Sequence, residues 1–254
     1  MYENAFKMIV TDLDGTYLRN DKSISEYSRN IVNALRKKGY IFVVATARPV
    51  RSVVGIDNLD FDAGIFHNGA VIYNKKELIG NFGISNAYSI IKKIVSEYTN
   101  LNIAVESNDV LYANFDASQT WPETHYIFTN NFFEIQGAIS DKIIVEVTSI
   151  DDMNRIKKFL TNDLYIQLSE NRVAMIMNKK ANKVFGVQRL ANLYKIAMED
   201  IVAFGDDYND IEMLKAVGMG IAVNNALDEV KDIADKICGN NDVESVAKCL
   251  SEYL

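Results

Sequence analysis

The spacing of apolar positions along the chain predicts its elements. Phe6 to Val10 is a short apolar run opening into Thr-Asp-Leu-Asp-Gly-Thr, the pattern of a buried strand that ends in a loop. Ser23, followed at position 26 by a Glu, predicts a capping box ahead of a helix carrying Tyr27, Ile31, Ala34 and Leu35. Gly39 stops that helix, and Tyr40 to Val44 predicts a second buried strand. A helix from Val50 and a short strand near Ile65 follow. This alternation implies a parallel sheet with helices on its faces.

The rhythm then changes. Ala70 to Tyr73 and Glu77 to Phe82 predict a strand pair, and Ser85 to Thr99 an amphipathic helix with Ile90, Ile91, Ile94, Val95 and Tyr98 on one side. Short strand-like runs follow at 102–106 and 110–113, then 142–147, a helix over 153–160, and strands over 165–168 and 173–177. From Lys183 the first rhythm returns: helix 184–194, strand 201–204, helix 211–217, strand 220–223, helix 227–234, and a last helix over 243–250 capped by Asp242. The expected fold is an α/β, Rossmann-like parallel-sheet core over residues 1–83 and 182–254, interrupted by an α+β domain over 84–181.

Composition narrows the function. The formal net charge of −7 argues against a nucleic-acid partner, because phosphate backbones are met by basic faces. A small anionic substrate gains no global attraction either, so a phosphate site must build its own local positive charge. Cys238 and Cys249 lack the neighbours for a zinc site and read as reduced, structural thiols. The N-terminal residues lack the basic-then-apolar pattern of a signal peptide, and no apolar stretch approaches the ~20 residues that span a bilayer. A cytoplasmic protein is expected, with no membrane partner.

The chemistry gathers where strands end. Asp12 and Asp14 follow the first strand at the carboxyl edge of the sheet, where open α/β folds place ligands. A carboxylate can serve as nucleophile in hydrolysis of a phosphate monoester, and facing a phosphate dianion it needs a divalent cation. Thr46-Ala47-Arg48 ends the second strand and offers a hydroxyl and a backbone N–H to phosphoryl oxygens. Lys183 can supply fixed positive charge at the return to the core. Gly205-Asp206-Asp207-Tyr208-Asn209-Asp210 is an acidic loop suited to a hard, oxygen-seeking ion such as Mg²⁺.

These motifs, with Asn68-Gly69-Ala70 and Met213, resemble the Cof-type haloacid dehalogenase (HAD) superfamily hydrolases over essentially the whole chain. The resemblance implies Asp12 as nucleophile and Asp14 as general acid, then base. It implies Mg²⁺ held by the Asp12 carboxylate, the Asp14 backbone carbonyl and Asp206. Phosphate would be gripped by the Leu13 backbone, Thr46, Ala47, Lys183 and Asn209, with Asp210 and Arg48 behind them. Ala47 departs from the family, which often has Gly there. The substrates implied are small phosphorylated metabolites, sugar phosphates or phosphorylated cofactors, with the inserted domain as a lid over the leaving group.

A phosphosugar mutase of the same superfamily is the alternative. It needs a second cationic phosphate site, yet Arg155 and Arg172 are the only arginines between Tyr73 and Lys183. A non-catalytic phosphate-ester sensor is the other, weighed against by the intact Asp12, Asp14, Lys183 and Asp206. His67 and His125 read as structural or surface histidines. Trp121, Tyr126 and Phe128 read as core of the insert, and the sequence selects neither a substrate nor an oligomeric state.

Overall fold

Met8–Thr11 (β1) is buried along its whole length, as a strand covered on both faces must be. The computed structural model describes residues 6–122, 124–147, 149–169 and 173–254, so Arg172 lies outside the described residues. After β1 come α1 (Glu26–Lys37), β2 (Ile41–Ala45), α2 (Val50–Val54), β3 (Ala63–Phe66), β4 (Val71–Asn74) and β5 (Glu77–Asn81). The middle of the chain supplies α3 (Ala87–Glu97), β6 (Ile103–Ser107), β7 (Val110–Ala113), β8 (Tyr126–Phe128), β9 (Lys142–Glu146), α4 (Ile150–Lys157), β10 (Leu164–Ser169) and β11 (Val173–Asn178). The remainder is α5 (Lys183–Tyr194), β12 (Ile201–Gly205), α6 (Ile211–Ala216), β13 (Met219–Ala222), α7 (Asp228–Ile233), β14 (Lys236–Ile237) and α8 (Ser245–Ser251).

Two compact units result: the residues up to Ile79 with Asn182–Leu254, and Gly80–Ala181. The first crossing falls inside β5, before the Gly83–Ile84 junction read from the sequence, because a strand continuous across a boundary leaves no break in the apolar pattern. The first unit is built on one sheet in the order β14-β13-β12-β1-β2-β3-β4-β5. It is parallel from β14 to β3 and antiparallel from β3 to β4. The second has a sheet of order β10-β11-β9-β6-β7-β8. Its core joins Ile90, Ile91 and Ile94 of α3 to Val105, Ile143, Val145 and Ile176 of the strands.

Some local expectations are corrected. Helix α1 is capped by Ser25, whose hydroxyl accepts the Ser28 N–H at 3.1 Å. Ser23 instead closes a tight turn, its carbonyl accepting the Arg19 N–H and its own N–H going to Asp21. The last helix begins at Ser245, because Glu244 adopts a left-handed φ of 53°. Asp242 caps nothing there and accepts the Asn20 N–H at 2.8 Å. Trp121 and Tyr126 pack against a small cluster around Leu111 and Ile144, but Phe128 is more than half exposed, since β8 is an edge strand. Among the described residues no helix is long and apolar enough to cross a membrane.

Candidate active site

Register decides what meets at the edge of the first sheet. Thr11 lies opposite Val44 of β2 and Phe204 of β12, so these strands end level and release their loops side by side. The Asp12 N–H still reaches the Phe204 carbonyl at 3.0 Å, which fixes the start of the first loop against β12. The chain then turns sharply. Gly15 takes φ 77°, and a Cβ there would stand 2.3 Å from Asp206 Oδ2. Glycine is required on both counts: the left-handed conformation and the close approach of a carboxylate. Thr16 Oγ1 donates to Asp206 Oδ1 at 2.7 Å and ties the two loops together.

Lys183 arrives on the first turn of α5, which Asn182 caps by accepting the Phe185 N–H at 2.8 Å. Gly186 lets that helix lie close on β3, since a Cβ there would stand 2.6 Å from Ile65 Cγ2. Lys183 is 1% exposed, and its Nζ donates to Asp12 Oδ1 at 2.6 Å and to Asp210 Oδ1 at 2.7 Å. Burial works against the ammonium, but the charges of Asp12 and Asp210 outweigh it and raise its pKa above the ordinary value. Asp210, fully buried, spends its other oxygen on the backbone N–H groups of Asp206 and Asp207.

One buried ammonium therefore faces three carboxylates. Asp12, Asp206 and Asp210 each bring an oxygen within 4.8 Å of the others. Burial drives the Asp12 carboxyl up; Lys183 pulls it down, Asp210 and Asp206 push it up, and it ends well above the carboxylate range. Burial, with the charges of Asp210 and Asp207, likewise lifts Asp206 to about 6 against the Thr16 hydrogen bond and Lys183. Such a cluster takes up cations: protons, or a hard metal ion. Among the described residues no hydrogen bond occupies Oδ2 of Asp12 or of Asp206, so each has an oxygen to give a divalent ion. Both oxygens of Asp210 are already engaged, by Lys183 and by two N–H groups.

Asp14 faces a different set. Arg48 grips it in bidentate fashion, Nε to Oδ2 at 2.5 Å and a terminal nitrogen to Oδ1 at 2.6 Å. Lys22 adds a bond to Oδ1 at 2.7 Å. Burial raises this carboxyl, but the bonds from Arg48 and Lys22 prevail and leave it below its ordinary value. Thr46, 1% exposed, accepts the Arg48 N–H at 3.1 Å, and its own N–H goes to the Ile65 carbonyl. Leu13 is fully buried and Ala47 half-buried. The Asn209 amide donates to Asn68 Oδ1 at 3.1 Å. His67 is buried beside this segment, its N–H on the Arg48 carbonyl at 3.1 Å, whereas His125 is exposed.

Three participants escaped the sequence reading. Thr16 stood inside a quoted motif without a role, and Asn68 lay in the run taken only as an exit from the core. Lys22 gave no signal, because nothing local tells a loop lysine that it will fold back onto Asp14.

Over residues 9–250 the chain matches the family described as haloacid dehalogenase-like hydrolase. It is 30% identical to the 5-amino-6-(5-phospho-D-ribitylamino)uracil phosphatase YitU of Bacillus subtilis, across 97% of each chain. A crystal structure from Thermotoga maritima superimposes with TM-score 0.86 at 26% identity, covering 97% of each chain. A structure from Bacteroides thetaiotaomicron, described among the phosphatases of the superfamily, does so with TM-score 0.85 at 22% identity, covering 99% of this chain and 96% of that one. With a sheet whose carboxyl edge gathers Asp12, Asp206 and Asp210 around Lys183, the chain belongs to the haloacid dehalogenase-like hydrolases and is one of their phosphatases.

Proposed function

We propose that the protein is a Mg²⁺-dependent phosphatase that hydrolyses small phosphorylated metabolites through an aspartyl-phosphate on Asp12. The observation that carries this reading is the excess of carboxylate over Lys183 at the buried Asp12 and Asp210 and the half-buried Asp206. Asp12, Asp206 and the Asp14 backbone carbonyl would hold Mg²⁺, which, when bound, neutralises phosphoryl charge. Lys183 and the Leu13, Thr46, Ala47 and Asn209 groups hold the phosphoryl oxygens.

An Asp12 oxygen attacks phosphorus, and the bond to the leaving oxygen breaks as that oxygen takes the Asp14 proton. Asp14, now a carboxylate, takes a proton from water, whose oxygen attacks the phosphorus and returns Asp12 free with inorganic phosphate. In the structure Asp14 is held by Arg48 and Lys22, whose bonds keep its carboxyl below its ordinary value. An incoming phosphate dianion competes for those cations and repels the carboxylate, and both effects raise its pKa toward that of an acid. Asp210 and Arg48 act behind these groups, the first on Lys183 and the second on Asp14.

The Bacillus relative's name points to a phosphorylated sugar alcohol carried on a pyrimidine. That compound heads the test panel, with sugar phosphates and pyridoxal phosphate beside it. Both cysteines are free, and burial pushes the Cys238 thiol up to about 12. Phosphate release with Mg²⁺, lost in Asp12→Asn and in EDTA, is the expected result. Release that survives Asp12→Asn would refute the covalent route.

A further inference from the structure

Beyond the motif residues, the turn that carries Asp12 and Asp14 is gripped from the far end of the chain. Asn225 Nδ2 donates to the Gly15 carbonyl at 2.7 Å. Its Oδ1 accepts the Asn241 N–H at 3.0 Å. One partner can only accept and the other can only donate, so the amide has a single workable orientation. Asn241, 4% exposed, sends its own amide to the Leu18 carbonyl at 2.9 Å and to Asn20 Oδ1 at 3.1 Å.

The backbone on either side of Asn225 is fixed to the acidic loop. The Val223 N–H reaches the Gly205 carbonyl at 3.2 Å, and the Leu227 N–H reaches the Asp206 carbonyl at 3.0 Å. Asn225 thus bridges the two loops that must stay in register: its main chain rides with Asp206, and its side chain holds the Gly15 turn. The Asp242 and Glu244 carboxylates extend the grip to Asn20 and Arg19.

We propose that Asn225, oriented by Asn241, is a positioning residue that sets the separation of the Asp12–Gly15 turn from Asp206. It touches neither of the two catalytic carboxylates. It works through the Gly15 peptide, whose left-handed turn already stands against Asp206. This inference rests on the reading of Asp12 and Asp206 as reacting and metal-holding groups. Displacements near an ångström in a reacting constellation cost up to ~10²-fold in rate.

The test combines kinetics with metal binding. Asn225→Ala lowers kcat ~10- to 100-fold at a temperature well below its melting point, with KM changed far less. It also weakens Mg²⁺ binding measured by calorimetry without substrate. Asn225→Asp keeps the acceptor for Asn241 but loses the donor to Gly15, and its kcat falls with that of the alanine variant. The pair Asn225→Ala and Asn241→Ala is non-additive, the double variant being about as slow as the slower single one. A wild-type kcat in Asn225→Asp, strictly additive effects, or a loss confined to melting temperature would each overturn the proposal. If the wild-type protein released phosphate from no ester, the phosphatase reading would fail separately. The proposal would then be judged on Mg²⁺ binding alone: weaker in Asn225→Ala supports it, and equal affinity overturns it.

Discussion

Replacing Lys183 by Met keeps most of the buried volume and removes one charge. Nζ lies 2.6 Å from Asp12 Oδ1 and 2.7 Å from Asp210 Oδ1, and the side chain has no exposed surface. Breaking a buried pair from one side costs about 3–5 kcal/mol, chiefly the penalty of the charge left behind. Here two buried carboxylates lose a shared cation with Asp206 close by, which places the loss in the middle of that range, about 4 kcal/mol, at pH 8 in EDTA.

The pH dependence has a definite sign. Asp12 already sits well above the carboxylate range, and loss of the ammonium raises it further. The folded variant then holds protons that the unfolded chain releases, so its stability recovers as pH falls from 8 toward 5. A divalent ion repairs the same defect, adding about 2.7 kcal/mol at a hundredfold excess over Kd. Urea denaturation of both proteins at pH 8 and 5.5, with EDTA and with Mg²⁺, reads all of this. A deficit under about 1 kcal/mol at pH 8 in EDTA, or one that widens as pH falls, would refute the electrostatic account.

Gly15→Ala should lower kcat by ~10²-fold and weaken Mg²⁺ binding, because its Cβ would fall 2.3 Å from Asp206 Oδ2. Gly39→Ala carries a comparable φ of 97° with nothing within 4 Å, so equal losses in the two variants would show that backbone strain alone is responsible. Asp141, 1% exposed, is lifted to about 7 by burial and by the charges of Glu106 and Asp109, against the Asn81 bond and Lys142. Its full penalty applies above pH 7 and is relieved progressively as pH falls from about 7 toward the ordinary carboxylate value of 3.8, so Asp141→Asn should flatten the melting-temperature profile between about pH 7 and 4.5 and leave its slope above pH 7 unchanged; an unchanged slope between about pH 7 and 4.5 would count against it. If Asp206 holds Mg²⁺ as proposed, protons compete with the ion there, since burial lifts this carboxyl to about 6; calorimetric affinity should then drop steeply between about pH 7 and 5, and a pH-independent affinity would remove Asp206 from the proposed ligand set.

The legible part of this protein is local, and the illegible part is a matter of register. Asp12, Asp14 and Asp206 could be placed at strand ends because each follows a short apolar run, and apolar runs are read within a window of a few residues. What each side chain then holds was decided by residues far away in sequence. Thr16 meets Asp206 across the β1–β12 pairing, and Arg48 meets Asp14 across β1–β2. Local competition explains the misplaced caps as well: Ser23 and Ser25 both precede the helix, and only the turn around Asp21 shows which of them is free to cap it. The insert's boundary was blurred for a related reason, since β5 runs through it.

Charge shows the same division most clearly. A net charge of −7 required a phosphate site to make its own positive potential, and Lys183 was the evident source. The structure surrounds that lysine with more carboxylate than it can neutralise. The deficit belongs to an arrangement of loops and to no single motif. It favours uptake of a proton or a divalent ion there, and it explains why Lys183 tolerates complete burial.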